Sequence, residues 1–325
     1  MNSNQKHFFP FTLFAIFVLL NACTSSKDKD IKLTIRNAYL LDSPAAELGE
    51  GAIWDPNSKK LLWIDILGKK FYIYDSKSNI HEGYELGKMP GTIVPGNKGD
   101  LMIPLEDGLY RWNIADRTLS FVSKPSSLLS EERFNDGKCD PSGRLWVGSM
   151  RISGRAGGSH LYRYDPANEF VEMVDSVSIS NGIAWSGDKS TLFYIDTPTG
   201  KVVAYDYDDM TGNINNKRTV VTVPDTLGHP DGMTIDSEDR LWVALWGGHG
   251  VGCFDPINGE LLEYVKVPVK NVTSCAFGGD KLDILYITTA KGNMEDYPGE
   301  AQMLAGRMFY IQTKVKGVRA NIYRE

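Results

Sequence analysis

Cysteine is scarce, with four in 325 residues, too few for the disulfide-dense scaffold that small exported domains use. Basic charge is not in excess either. Lys and Arg total 35 against 41 Asp and Glu, for a formal charge of −6 and a pI near 5.5. The basic residues are spread along the chain, which leaves no electrostatic footprint for DNA or RNA. No run of about 10–15 residues carries strong helical periodicity, which argues against a parallel sheet with crossover helices. No G-x-S-x-G elbow occurs, which weighs against a Ser-His-Asp esterase. Disorder is excluded by a hydrophobic content of 42%. What the chain has in quantity is Gly, 32 residues, and aromatics, 11%, a composition that suits many turns joining many short strands.

The first apolar run, Phe8 to Leu20, follows Lys6 and His7 and is too short to span a bilayer comfortably. Its pattern predicts a secretion signal. The residues Leu20-Asn21-Ala22-Cys23 resemble a bacterial lipobox, so residues 1–22 read as a lipoprotein signal, Cys23 as the lipidated residue and 23–34 as a polar tether. The alternative is an ordinary secretory signal with an incidental Cys23. The expected location is the bacterial cell envelope, with the membrane met only through the anchor and the protein otherwise a monomer. Cys139, Cys253 and Cys275 then form an odd set, each within an apolar run, and are expected as buried thiols rather than catalytic groups.

The remainder, 35–325, is governed by a repeat. EGAIWDPNSKKLLWID from Glu50, DGKCDPSGRLWVGS from Asp136, NGIAWSGDKSTLFYID from Asn181 and DGMTIDSEDRLWVAL from Asp231 share one pattern, and weaker copies begin at Pro90 and Thr273. Each copy reads as strand, turn, strand, usually with a third strand after it. The spacing of about 40–50 residues is that of propeller blades. Six copies predict an all-β, six-bladed β-propeller, with residues 31–41 adding a strand to the last blade to close the ring. A sandwich is the competing architecture, but it does not repeat one turn in register six times.

Repeat phase carries geometry, because equivalent residues occupy equivalent places around the axis. The position before the shared Gly is Glu50, Pro90, Asp136, Asn181, Asp231 and Thr273. Singly, each such Asp or Asn is an ordinary turn former. Together, three carboxylates and an amide converging on one rim would repel unless a cation or a shared proton neutralises them. An oxygen-only set favours a hard divalent cation, Ca²⁺ first, then Mg²⁺ or Mn²⁺, with Zn²⁺ less natural.

In these words the chain resembles the gluconolactonase family that includes regucalcin. The resemblance rests on Leu48-Gly49-Glu50-Gly51, Arg133-Phe134-Asn135-Asp136-Gly137-Lys138, Ile179-Ser180-Asn181-Gly182 and Pro230-Asp231-Gly232-Met233, in this order. It implies a six-bladed propeller with one divalent cation at the channel mouth and hydrolysis of a sugar (aldono-) lactone such as gluconolactone. Position by position it implies Glu50, Asn181 and Asp231 as metal ligands, and Arg133 and Asn135 as substrate-binding residues. Asp136 is in phase but outside that ligand set. Asp231 is the candidate general base, unless it binds metal only. Arg133 could instead pair with Glu131 or Glu132 at the surface. Where animal members carry a carboxylate after this word, the chain has Arg151 and Arg155, which could meet an acidic or differently hydroxylated substrate. His229 and His249 are candidate proton shuttles or plain loop histidines. Two other readings remain open here: a non-catalytic sugar- or calcium-binding envelope lipoprotein, and a promiscuous metal-dependent esterase or organophosphate hydrolase.

Overall fold

Short, alternating apolar strands separated by Asp-, Pro- and Gly-rich turns pair with their sequence neighbours. In the computed structural model they form six sheets among the described residues, which are Met1, 33–167, 169–292 and 301–325. The sheets are the six blades of a β-propeller. Blade one spans residues 49–85, blade two 94–123, blade three 132–177, blade four 180–222, blade five 229–266 and blade six 272–312. Each is an antiparallel meander whose first strand lies innermost. The signal, lipobox and most of the tether fall on 2–32, outside the described residues.

Ring closure differs in one respect from the sequence expectation. The N-terminal segment serves two blades: Thr34–Asn37 pairs in parallel with the outer strand Leu261–Lys266 of blade five, and Tyr39–Leu40 pairs antiparallel with Phe309–Gln312 of blade six. Ala38 between them donates to the Lys266 carbonyl at 2.9 Å, so the chain steps across the blade boundary instead of running along one sheet.

Side chains from facing blades interleave as five apolar clusters that cover every junction of the ring. Trp63, Trp146 and Trp242, the aromatic residue of three copies of the repeat, are wholly buried there. In blades three and five the repeated turn locks through one carboxylate. Asp140 accepts from Arg144 Nε at 2.6 Å and Trp146 Nε1 at 2.9 Å, and Asp236 accepts from Arg240 Nε at 2.8 Å and Trp242 Nε1 at 2.9 Å. Blade two has the weakest copy, and its inner strand is only Val94–Pro95. Pro90 and Pro95 lack the amide hydrogen that a longer ladder would need.

The three cysteines are free and buried, as their apolar neighbours predicted. Burial drives the Cys139 thiol pKa well up, which keeps it protonated and inert.

Candidate active site at the channel mouth

The inner strands share a local irregularity. Register shifts occur between Glu50 and Ile53, Phe134 and Gly137, Ser180 and Ile183, and Pro230 and Met233. A bulge re-aims the side chain beside it, and at these steps Glu50, Asn135, Asn181 and Asp231 turn into the channel mouth. The glycine that follows lets the blades close. A Cβ on Gly182 would lie 2.7 Å from the Asp231 carbonyl oxygen and 2.6 Å from Met233 Cβ. Two further carboxylates hold the approaches. Asp65 accepts the amides of Glu47 and Leu48 at 3.0 Å, and Asp196 accepts that of Ile179 at 2.9 Å, fixing the backbone that leads to Glu50 and Asn181.

These residues meet in one cavity of about 240 Å³, joined by Arg133, Thr197 and an apolar wall. Arg133 pairs with neither glutamate beside it. Its Nη1 donates to Asn135 Oδ1 at 2.7 Å and to the Phe134 carbonyl at 2.9 Å. Glu131 instead meets Arg151, and Glu132 accepts from Ser159 Oγ. Asn135 Nδ2 donates to the Ser180 carbonyl at 2.7 Å and to Asn181 Oδ1 at 3.1 Å. Asn181 Nδ2 donates to Thr197 Oγ1 at 2.8 Å, which in turn donates to the Pro230 carbonyl at 2.8 Å. The polar side of the cavity is thus one hydrogen-bonded chain drawn from blades three, four and five.

Two carboxyls close the remaining corner. Burial, with Asp136 nearby, pushes the Glu50 pKa up to about 8 against the opposing Gly51 amide and Arg133. Asp231 is held well above the usual carboxylate range by burial and by Glu50, which is within hydrogen-bonding reach of it. Burial lowers Arg133 to about 10, although Glu50 and Asp231 hold it up. Such a pair retains a proton between its members unless a cation takes its place. Glu50, Asp231 and the Asn181 carbonyl oxygen form an oxygen-only donor set that fits a hard divalent cation. Among the described residues no group of three or more His, Cys, Asp or Glu gathers in metal-binding fashion, so the third donor would be this amide.

The other in-phase residues go elsewhere. Asp136 does not line the cavity; it accepts from the Gly137 amide at 2.7 Å, and its Oδ2 has no hydrogen-bond partner among the described residues. Thr273 Oγ1 donates to the Gly49 carbonyl at 2.6 Å and so ties blade six to blade one. Arg151 and Arg155 do not line the cavity, and the Arg151 guanidinium is held by Glu131 and the Gly157 carbonyl. His229 and His249 are exposed and also outside it. Sequence reasoning missed Thr197, Lys138 and the wall formed by Leu48, Ile66, Met150, Ile179 and Trp246. Lys138 was findable, because it shares a strand face with Asp136 two residues before it. The wall residues come from second strands and loops, which the repeat leaves free to vary in type.

The sequence model of the family described as the SMP-30/Gluconolactonase/LRE-like region matches residues 48–291. The chain belongs to this family. Within it, the Bacillus subtilis protein named "Putative sugar lactone lactonase YvrE" is 37% identical over 281 residues, covering 86% of this chain and 96% of that protein. Regucalcin of Danio rerio is 36% identical over 275 residues, covering 84% and 93%. Among solved structures, regucalcin from Agrobacterium tumefaciens, described as a calcium-binding protein, superposes with a TM-score of 0.85 at 27% identity, covering 90% of this chain and 99% of that one. A Xanthomonas campestris gluconolactonase at 22% identity and a TM-score of 0.66 shares the fold.

Proposed function

We propose that this family member is a divalent-metal-dependent hydrolase that opens a sugar lactone. One observation carries the reading: the oxygen donors Glu50, Asn181 and Asp231 meet the Arg133–Asn135 pair in a single cavity at the channel mouth. The names of the lactonase relative and of the calcium-binding regucalcin support it. The cation, Ca²⁺ first and then Mg²⁺, Mn²⁺ or Zn²⁺, would be held by those three residues and would supply positive charge opposite the negative charge that builds on a lactone carbonyl in the transition state.

The residues of the chain do the rest. Asp231 takes a proton from a water whose oxygen bonds to the carbonyl carbon. The ring C–O bond breaks, and the proton passes from Asp231 to the departing ring oxygen, giving the open hydroxy acid. Arg133, anchored on Asn135 and on the Phe134 carbonyl, orients the substrate, and Asn135 fixes Asn181 in turn. Glu50 supplies negative charge to the cation site and leaves Asp231 free to cycle its proton.

The test is pH-stat titration over aldonolactones, before and after chelation and with each cation restored. Hydrolysis should vanish with chelator, return with metal, and fall by about 10²–10⁴-fold in Asp231→Asn. No metal-dependent hydrolysis of any lactone, with sugar affinity unchanged in Asp231→Ala, would assign the protein to binding instead. We further propose envelope anchoring through Cys23, read from the lipobox alone. Radiolabelled palmitate should enter the wild type and not Cys23→Ser.

A further inference from the structure

The hydrogen-bonded chain on the polar side of the cavity runs in one direction, because it ends on groups that cannot change roles. At one end the Arg133 guanidinium only donates, so Asn135 must present Oδ1 to Arg133 Nη1, at 2.7 Å. The Ser180 carbonyl only accepts, so Asn135 turns Nδ2 toward it, at 2.7 Å, and toward Asn181, at 3.1 Å. Asn181 can meet that N–H only with Oδ1. At the other end the Pro230 carbonyl takes the single proton of the Thr197 hydroxyl, at 2.8 Å. Toward Asn181 this hydroxyl can then only accept, and Asn181 must offer it Nδ2, at 2.8 Å. Both ends demand the same orientation of the Asn181 amide, and the Thr197 link is the shorter of the two that hold it.

We propose that Thr197 is a positioning residue for the cation site: its hydroxyl, committed to the Pro230 carbonyl, keeps the Asn181 amide oxygen, and not its N–H, available beside Glu50 and Asp231. This rests on the metal-dependent reading above and adds a residue outside the three donors. An amide oxygen has two lone pairs, and among the described residues Asn135 uses one of them. Without the Thr197 hydroxyl, the buried Nδ2 of Asn181 would lose its acceptor, and a buried N–H without a partner is costly. The nearby acceptors still open in the cavity are the carboxylates of Glu50 and Asp231. Turning to them, the amide would put an N–H where a cation needs an oxygen. The Thr197 bond also fixes the backbone one residue before Asp231, so one hydroxyl serves two of the three donors.

Calorimetric titration of the chelator-stripped full chain with Ca²⁺ alone reads the site without any lactone. Thr197→Val, similar in shape but lacking the hydroxyl, should weaken the Ca²⁺ Kd by about 10–100-fold, and Thr197→Ser should stay within about threefold of wild type. Asp at 181 would have an oxygen at either end of its head, so in Asn181→Asp the further change Thr197→Val should move Kd by less than about threefold. A loss caused by general loosening of the fold would persist in that background. Turnover of an aldonolactone by Thr197→Val should be low at limiting Ca²⁺ and return to within about threefold of the wild-type kcat at saturation. Where Thr197→Val does not fold, Thr197→Ala removes the same hydroxyl and is read the same way. Equal Kd in wild type and Thr197→Val, or an equal loss in the Asn181→Asp background, would overturn the inference and leave the metal-dependent reading standing. A wild type that takes up none of Ca²⁺, Mg²⁺, Mn²⁺ and Zn²⁺ would overturn both.

Discussion

Lys138 is the residue whose environment says most about how the channel tolerates its acids. Three carboxylates, Glu50, Asp136 and Asp231, lie near one another at the channel, and among the described residues Arg133 and Lys138 oppose them. The Lys138 ammonium donates to the Met233 carbonyl, and its charge is what holds the raised Asp136 pKa down against burial. Lys138→Met would leave Asp136 buried with an unpartnered Oδ2 and no counter-charge. The expected cost is about 2–3 kcal/mol, below the ~3–5 of a fully dry pair because Lys138 also borders a cavity. Asp136→Asn combined with Lys138→Met should recover most of that loss. Urea unfolding of the two single variants and the double variant measures it, and a double-variant loss equal to the sum of the two single losses would show that the pair does not interact.

At the scale of the element, the repeated turn explains both what the sequence disclosed and what it hid. The words DPSGRLW and DSEDRLW announce a strand, a tight turn and a second strand, and the structure shows why each residue is there. The carboxylate accepts from backbone, Arg and Trp at once. Blade one keeps the Asp but not the Arg, and Asp55 accepts from the Asn57 amide at 2.9 Å and Ser58 Oγ at 2.6 Å instead. Asp140→Ala should therefore cost about 3–5 kcal/mol, since it strands the Arg144 charge and the Trp146 N–H. Asp55→Ala, at a neutral Ser and Asn turn, should cost about 1–2 kcal/mol. Thermal unfolding of the two variants checks the order, and an equal or reversed order would mean the Arg–Trp clamp adds nothing. The same periodicity made the inner-strand site legible, because Glu50, Asn181 and Asp231 sit at one phase of the repeat and the bulge turns all three inward. The cavity wall was not legible. Met150, Ile179 and Trp246 occupy positions whose side chains meet only after the ring closes, and no local pattern requires them to be apolar.

For the whole molecule, the closing device is at the end of the channel away from the site. The site residues Glu50, Asn181 and Asp231 stand near the starts of the inner strands, and Trp54, Trp185 and Ile235 stand near their ends around a second cavity bordered by 318–321. Four residues of extended chain separate the two levels by about 13 Å. The C-terminal segment crosses this far end and ties four blades together. Gly317 donates to the Leu282 carbonyl at 2.7 Å, Ser237 to the Lys316 carbonyl at 2.8 Å, Arg324 to the Gly143 carbonyl at 3.0 Å, and Tyr323 to the Pro95 carbonyl at 2.8 Å. The Tyr323 ring is 2% exposed and packs on Tyr164. The apolar clusters join each blade to its neighbours around the ring, so a strap that reaches blades two, three, five and six resists the opening of any one junction. Tyr323→Ala should remove about 3–4 kcal/mol of stability, as expected for a buried aromatic, and should lower the unfolding temperature. Lactone turnover at 25 °C should stay within about twofold of wild type, because the strap and the carboxylate corner are separated by the length of the inner strands. Turnover that falls while the unfolding temperature holds would mean instead that the far end sets the geometry of the mouth.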